Sequence, residues 1–199
     1  MRLPWVRTSR VLTVAVLTVA ITAGAAFAKG GPRITEVMAT FSLDTVRDHP
    51  VQCQGEDGTY VQDVSLDRGT QSSSKPELNG RARVVVHVLI NIDTGIGANF
   101  GRFTVTDPHT KKVTADSIFV GVIKGNENKG IELGKLRGGE ALIANFSVLI
   151  DPNTGHVDGE IGASPGLVTS DLAAVWNLRG CGHESFWRDY QAALASIGR

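Results

Sequence analysis

The sequence predicts an all-β fold: an antiparallel up-and-down meander, closed into a barrel of about eight strands, with a C-terminal helix. Three observations carry this. Apolar and polar residues alternate with period two along most of the chain, short turns rich in Gly, Asn and Pro separate the runs, and no helical period intervenes before the last residues. Strands joined by short turns, without crossover helices, exclude a parallel α/β sheet. Closure removes the edges a long open meander would expose, which favours a barrel over the alternative, a Greek-key sandwich.

In chain order, Ile34 to Leu43 and Tyr60 to Leu66 are the weaker strand candidates. Asp67 to Leu78, containing Gln71-Ser72-Ser73-Ser74-Lys75-Pro76, reads as a flexible polar loop. Arg81 to Ile92 is the clearest strand. Ala82, Val84, Val86, Val88, Ile90 and Ile92 fall on one face, and Arg81, Arg83, Val85, His87, Leu89 and Asn91 on the other. Asn79-Gly80 and Thr94-Gly95-Ile96-Gly97 flank it as turns. Further strands are expected at Asn99 to Thr106, Lys112 to Lys124, Ile131 to Leu136, Ala141 to Ile150, His156 to Ile161 and Leu172 to Arg179. A polar loop is expected at Gly125 to Gly130, and turns at Gly138-Gly139 and Asp151 to Gly155. No proline interrupts a proposed strand, as ladder hydrogen bonding requires. The helix is expected at 185–197, where Phe186, Trp187, Tyr190, Ala193, Leu194 and Ile197 recur at three-to-four spacing, with Ser185 as a cap. It is read as packing over the sheet or a barrel mouth, with a docking helix as the alternative.

The first 28 residues have the layout of a cleaved secretory leader. Arg2, Arg7 and Arg10 form a basic start, Val11 to Ala25 is apolar, and Ala26-Phe27-Ala28 places small residues before a cleavage between Ala28 and Lys29. The leader carries no twin-Arg pair, and no lipid-accepting Cys follows it, so a secreted or extracytoplasmic destination is expected. A retained signal anchor is the competing reading. Residues 29–199 then form a single domain. Removing three leader arginines from the 20 basic residues leaves 17 against 20 acidic, a net charge of −3. With no basic cluster, a nucleic-acid partner is not expected; nor is a membrane span after processing. In an oxidising compartment Cys53 and Cys181 are expected to pair, closing a very long loop.

Apparent motifs carry no chemistry. Gly162-Ala163-Ser164-Pro165-Gly166 matches the Gly-x-Ser-x-Gly elbow of serine hydrolases, with Asp171 and His183 following in order. Pro165 lacks the backbone N–H that the elbow uses as an oxyanion donor, so the segment reads as a loop. Asp151 to Gly162 fails as a calcium loop, because its glycine is one place early and Gly162 stands at the bidentate acid position. It reads as a hairpin. Gln54-Gly55-Glu56-Asp57-Gly58 reads as a tight turn beside Cys53. Asn145-Phe146-Ser147 is a formal glycosylation sequon inside a strand. Cys181 and His183 alone supply too few ligands for a metal, and no cofactor signature is present.

One clue to function is the mixed face of the long strands. If it turns inward, Arg83, His87 and Asn145 line a shared cavity and Asp116 partners Arg83. If it turns outward, all four are solvated and the apolar face forms the core.

The runs Cys53-Gln-Gly-Glu-Asp-Gly-Thr-Tyr60, Thr94-Gly-Ile-Gly97 and Ala144-Asn-Phe-Ser147 resemble elements of secreted actinobacterial proteins of unassigned role. In strand count and turn spacing the meander is similar to small eight-stranded barrels of the allene oxide cyclase and dirigent group. That likeness concerns fold; no catalytic motif of the group matches residue by residue. The favoured reading is an exported small-molecule-binding or structural module, with an apolar or amphipathic ligand. The alternative is a cofactor-free barrel enzyme of isomerase or cyclase type.

Overall fold

The computed structural model describes residues 34–35, 37–162, 167, 169–180 and 182–197. Within them the alternating runs form β2 (Ala39–Arg47), β4 (Thr59–Ser73), β5 (Gly80–Asn91), β6 (Ile96–Thr106), β7 (Val113–Lys124), β8 (Glu127–Leu136), β9 (Ala141–Ile150) and β10 (Val157–Ile161). Each is antiparallel to its neighbour in the order β2-β4-β5-β6-β7-β8-β9-β10. β10 then pairs with β2, Ile161 opposite Ala39, and the sheet closes into an eight-stranded barrel. Two short strands extend the wall: β1 (Ile34–Thr35) runs parallel to β9, and β3 (Val51–Gln54) pairs with β4.

One face of each strand points inward. Phe41 and Leu43 of β2, Val84 and Val86 of β5, and Phe103 of β6 belong to the lumen core, which Phe119, Phe146 and Val148 complete. At the end where β5 starts, the 3-10 turn Pro76–Leu78 brings Leu78 under the barrel with Val105, Ala115 and Leu136, sealing that end with apolar side chains. The opposite end carries the β5–β6, β7–β8 and β9–β10 turns.

A second apolar layer lies outside the barrel. Helices α1 (Thr169–Val175) and α2 (His183–Ile197) cover the outer wall of β6 and β7, with α2 reaching β5 and β8. Val175, Leu178, Phe186, Trp187 and Tyr190 pack there on Tyr60, Leu89, Ala98, Val120 and Val122. The terminal helix therefore covers the barrel wall rather than its mouth. Among the described residues no helix is long and apolar enough to cross a membrane.

Four local expectations are corrected. Gly125 to Gly130 is a turn only at Gly125 and Asn126, because β8 begins at Glu127 and pairs from there with β7 and β9. Leu172 to Arg179 was expected to be a strand, but residues up to Val175 are helical: Leu172, Val175 and Trp176 repeat at three-to-four spacing, and all three join the outer layer. Asp67 to Ser73 was expected to be loop, yet it is the second half of β4, hydrogen-bonded between β2 and β5. Its sequence is polar on both faces because Asp67 and Gln71 point inward while Arg68, Thr70 and Ser72 meet solvent. Ser185 does not cap α2, which begins at His183; its Oγ donates to the Gly182 carbonyl (2.8 Å). The Gln54–Gly58 turn is present, closed by Gly55 N–H donating to Gly58 O (2.8 Å). The leader, Cys181 and residues 163–166 lie outside the described residues.

Candidate functional site

The inward faces do not fill the barrel. Between the Leu78 seal and the turns at the opposite end lies a cavity of about 180 Å³, walled by Phe41, Phe103, Phe119, Phe146 and the valines of β5 and β9. A void of roughly 150 Å³ holds benzene, so this one takes a molecule built on a single ring. Thr45 and Gly155 mark where it reaches the rim.

Polar groups interrupt this apolar lining. Glu132 of β8 is 3 % exposed and points into the lumen, where burial pushes its carboxyl up to about 7. Its Oε1 is in hydrogen-bond contact with Ser117 Oγ, which also lies 3.2 Å from the Phe103 carbonyl oxygen. Ser117 has a single hydroxyl proton. Both contacts are satisfied together when Glu132 is protonated and donates to Ser117 while Ser117 donates to Phe103. Asp67 of β4 is the second buried carboxylate. It accepts from Thr45 Oγ1 (3.0 Å) and Ser65 Oγ (3.1 Å), and burial raises its pKa despite both bonds. No Lys, Arg or His is among the described residues lining the cavity.

Asn99 of β6 and Asn128 of β8 have side-chain oxygens that are buried and make no hydrogen bond. Both converge on Gly121 of β7. A Cβ there would lie 2.3 Å from Asn99 Oδ1 and 2.6 Å from Asn128 Oδ1, so the two bare acceptors occupy the space that glycine's missing side chain leaves. A buried acceptor without a partner costs about 1–3 kcal/mol, a cost that a ligand's donor can remove. Gln71 is likewise without a side-chain partner but lies off the cavity.

The structure places the mixed face of the strands outside. Arg83 is exposed, opposite Arg68 and Thr104 in the wall. His87 stacks on Phe100, with ring centroids 4.7 Å apart. Asp116 is paired with Arg102, whose Nε donates at 2.6 Å and holds the carboxyl below its usual range; it does not meet Arg83. Asn145 sits on β9 opposite Ile131, and its carbonyl accepts from Gly162 N–H (2.8 Å). None of the four lines the lumen; their neighbours Val84, Val86 and Phe146 do. The cause is the two-residue period: a closed barrel turns its uniformly apolar rows inward and leaves the charged rows in water. Asn128 and Glu132 share the glycine-containing inward row of β8, Asn99 sits between glycines on that of β6, and Asp67 lies between Ser65 and Gln71 on a polar row of β4, so none stands on a row whose apolar pattern marks it as inward.

A Ser-His-Asp arrangement occurs on the outer wall. His156 Nδ1 is 2.7 Å from Asp44, and its Nε2 is 3.1 Å from Ser42 Oγ and 3.3 Å from Asp158. It does not make a nucleophile. Two carboxylates raise the imidazole's pKa, Asp44 foremost, which favours the protonated ring that cannot act as a base. Ser42 is also mid-strand, paired on both sides with β4 and β10, so its neighbouring amides are not free to form an oxyanion hole.

Cys53 is half-buried on β3 opposite Tyr60, and Gly180 packs against the Tyr60 ring. Its expected partner, Cys181, lies outside the described residues. No family model, curated protein or solved structure matches the chain.

Proposed function

We propose that the protein is an exported, disulfide-linked β-barrel module that holds a small apolar or amphipathic molecule in its lumen. The observation carrying this reading is the pair of unpartnered amide oxygens, Asn99 and Asn128, beside an apolar cavity of about 180 Å³. A barrel serving only as a scaffold gains nothing from buried acceptors left bare. The likeness to allene oxide cyclase and dirigent barrels, and to secreted actinobacterial proteins, is in keeping with the reading and contributes no activity. For the disulfide, support comes from Gly180 and Gly182, which approach Tyr60 and Gln62 beside Cys53.

Native mass spectrometry of protein purified from its own host tests the proposal. A reproducible small-molecule adduct is expected, and Val86→Phe, which fills the lumen, should abolish it. A wild-type mass free of any adduct, with lumen methyl resonances unmoved by small aromatic probes, overturns the reading.

A second reading, the cofactor-free isomerase or cyclase, draws on Glu132. A carboxyl that titrates at about 7 can give and take a proton at neutral pH. Recovery of the bound molecule chemically unchanged after prolonged incubation would decide for the binding module.

A further inference from the structure

The charge inventory of the lumen narrows the ligand's chemistry. Resting on the reading of this cavity as a ligand site, we infer that its ligand is a small organic cation, an amine on a single-ring apolar body, with the ammonium at Glu132 and a hydrogen-bond donor directed at Asn99 and Asn128.

Four features point this way. Two buried carboxyl groups, Glu132 and Asp67, face the cavity, and no basic side chain is among its described lining residues. A carboxylate or phosphate ligand would add a like charge to a site with nothing to neutralise it, whereas an ammonium supplies the missing counter-ion. At the other polar point the buried atoms without a partner are both oxygens, which accept from a donor. Finally, the two polar points are set apart along the wall. Glu132 reaches Ser117, on the side of the Leu78 seal, while Asn99 and Asn128 meet over Gly121, nearer the open end. Phenylalanine rings between them enclose an apolar body. A ligand with donors at both ends and a ring in the middle matches that order.

The site also implies a proton-linked affinity. The groups packed against Glu132 from β7 and β9, among them Ser117, Phe119, Ala144 and Phe146, do not titrate; Asp67, from β4, is the other titratable group of the lining. Bringing in a cation ionises Glu132, so binding strengthens as pH rises towards the range where that carboxyl gives up its proton unaided.

Titration calorimetry with three probes of matched shape tests the inference: tyramine, 4-hydroxyphenylethanol and 4-hydroxyphenylacetate, each with wild type and Glu132→Gln, at pH 5.5 and 8. Methyl resonances of Val84 and Val86 report lumen occupancy. Tyramine should bind at least about tenfold tighter than the alcohol at pH 8, with a smaller ratio at pH 5.5, and the carboxylate should bind weakest. Glu132→Gln should remove tyramine's advantage over the alcohol. If the alcohol or the carboxylate enters the lumen as tightly as tyramine, or if Glu132→Gln leaves the tyramine preference intact, the cation assignment is wrong and the lumen remains a ligand site. If none of the three moves the lumen resonances at millimolar concentration, the lumen reading itself falls.

Discussion

Replacing Glu132 with glutamine isolates the cost of keeping a carboxylate inside this barrel. Folding moves the carboxyl from an ordinary 4.5 to about 7, chiefly by desolvation, with Ser117 offsetting part of it. Between those values the native state holds its proton more firmly than the unfolded chain, so stability falls as pH rises through the window. Below it the group is protonated in both states and contributes nothing. At about 1.4 kcal/mol per pH unit, ionised Glu132 costs the native state about 3 kcal/mol once the pH is above 7. Glutamine preserves the shape and the contact with Ser117 and does not titrate. The variant should therefore match wild type near pH 4 and exceed it by about 3 kcal/mol at pH 8, or roughly 6–12 °C in Tm for a domain of this size. Asp67, also raised by burial, is present in both proteins and cancels in the difference. Urea unfolding followed by tryptophan fluorescence from pH 4 to 9 measures it. A stability difference that stays flat across that range would refute the account of Glu132 as a desolvated carboxylate.

Other expectations concern separate parts of the molecule. Trp187, in the outer layer among Trp176, Phe186 and Tyr190, should cost about 3–5 kcal/mol when changed to alanine, seen as a lowered denaturation midpoint with lumen occupancy by small probes retained. A Cβ at Gly130 would meet the Val120 carbonyl oxygen and the Phe146 ring at 2.2 Å, so Gly130→Ala should destabilise by about 1–3 kcal/mol; an unchanged midpoint would show that the wall yields. The pairing of His156 with Asp44 and Asp158 is complete below the ordinary imidazole range and is lost as pH rises through the ring's raised folded value. Asp44→Asn should lower the ring's NMR titration midpoint, and an unmoved midpoint would remove Asp44 as the main cause. Intact-mass analysis of the exported protein should find a chain beginning at Lys29 and, unreduced, lighter by two thiol hydrogens; a full-length or fully thiol species counts against export or the bridge respectively.

Most of the barrel was legible because burial on one side of a strand writes itself as alternation. Arg81 to Ile92 declared its inner row, and Val84 and Val86 occupy it. Where a segment is polar on both faces, as in Asp67 to Ser73, alternation carries no contrast, and pairing with β2 and β5 supplies what the local pattern lacks. A short amphipathic helix such as Thr169–Val175 offers barely two turns in which to tell a period of 3.6 from a period of two. The site was hidden for a different reason. Periodicity assigns polar residues to water, whereas Glu132, Asn99 and Asn128 are polar residues on inward rows. Only the pairing registers of β6, β7 and β8 reveal that Asn99 and Asn128 converge over Gly121.

The way the barrel closes bears on how it comes to exist. The seam joins β2 near the start of the domain to β10 well over a hundred residues later, Ala39 opposite Ile161. Contacts of such long sequence separation are slow to form, and a nascent chain cannot make this one until β10 has been released. Until the seam zips, the lumen is an open sheet face and Glu132 remains hydrated. Closing the wall around Glu132 is favoured where its carboxyl keeps a proton, in mildly acidic surroundings.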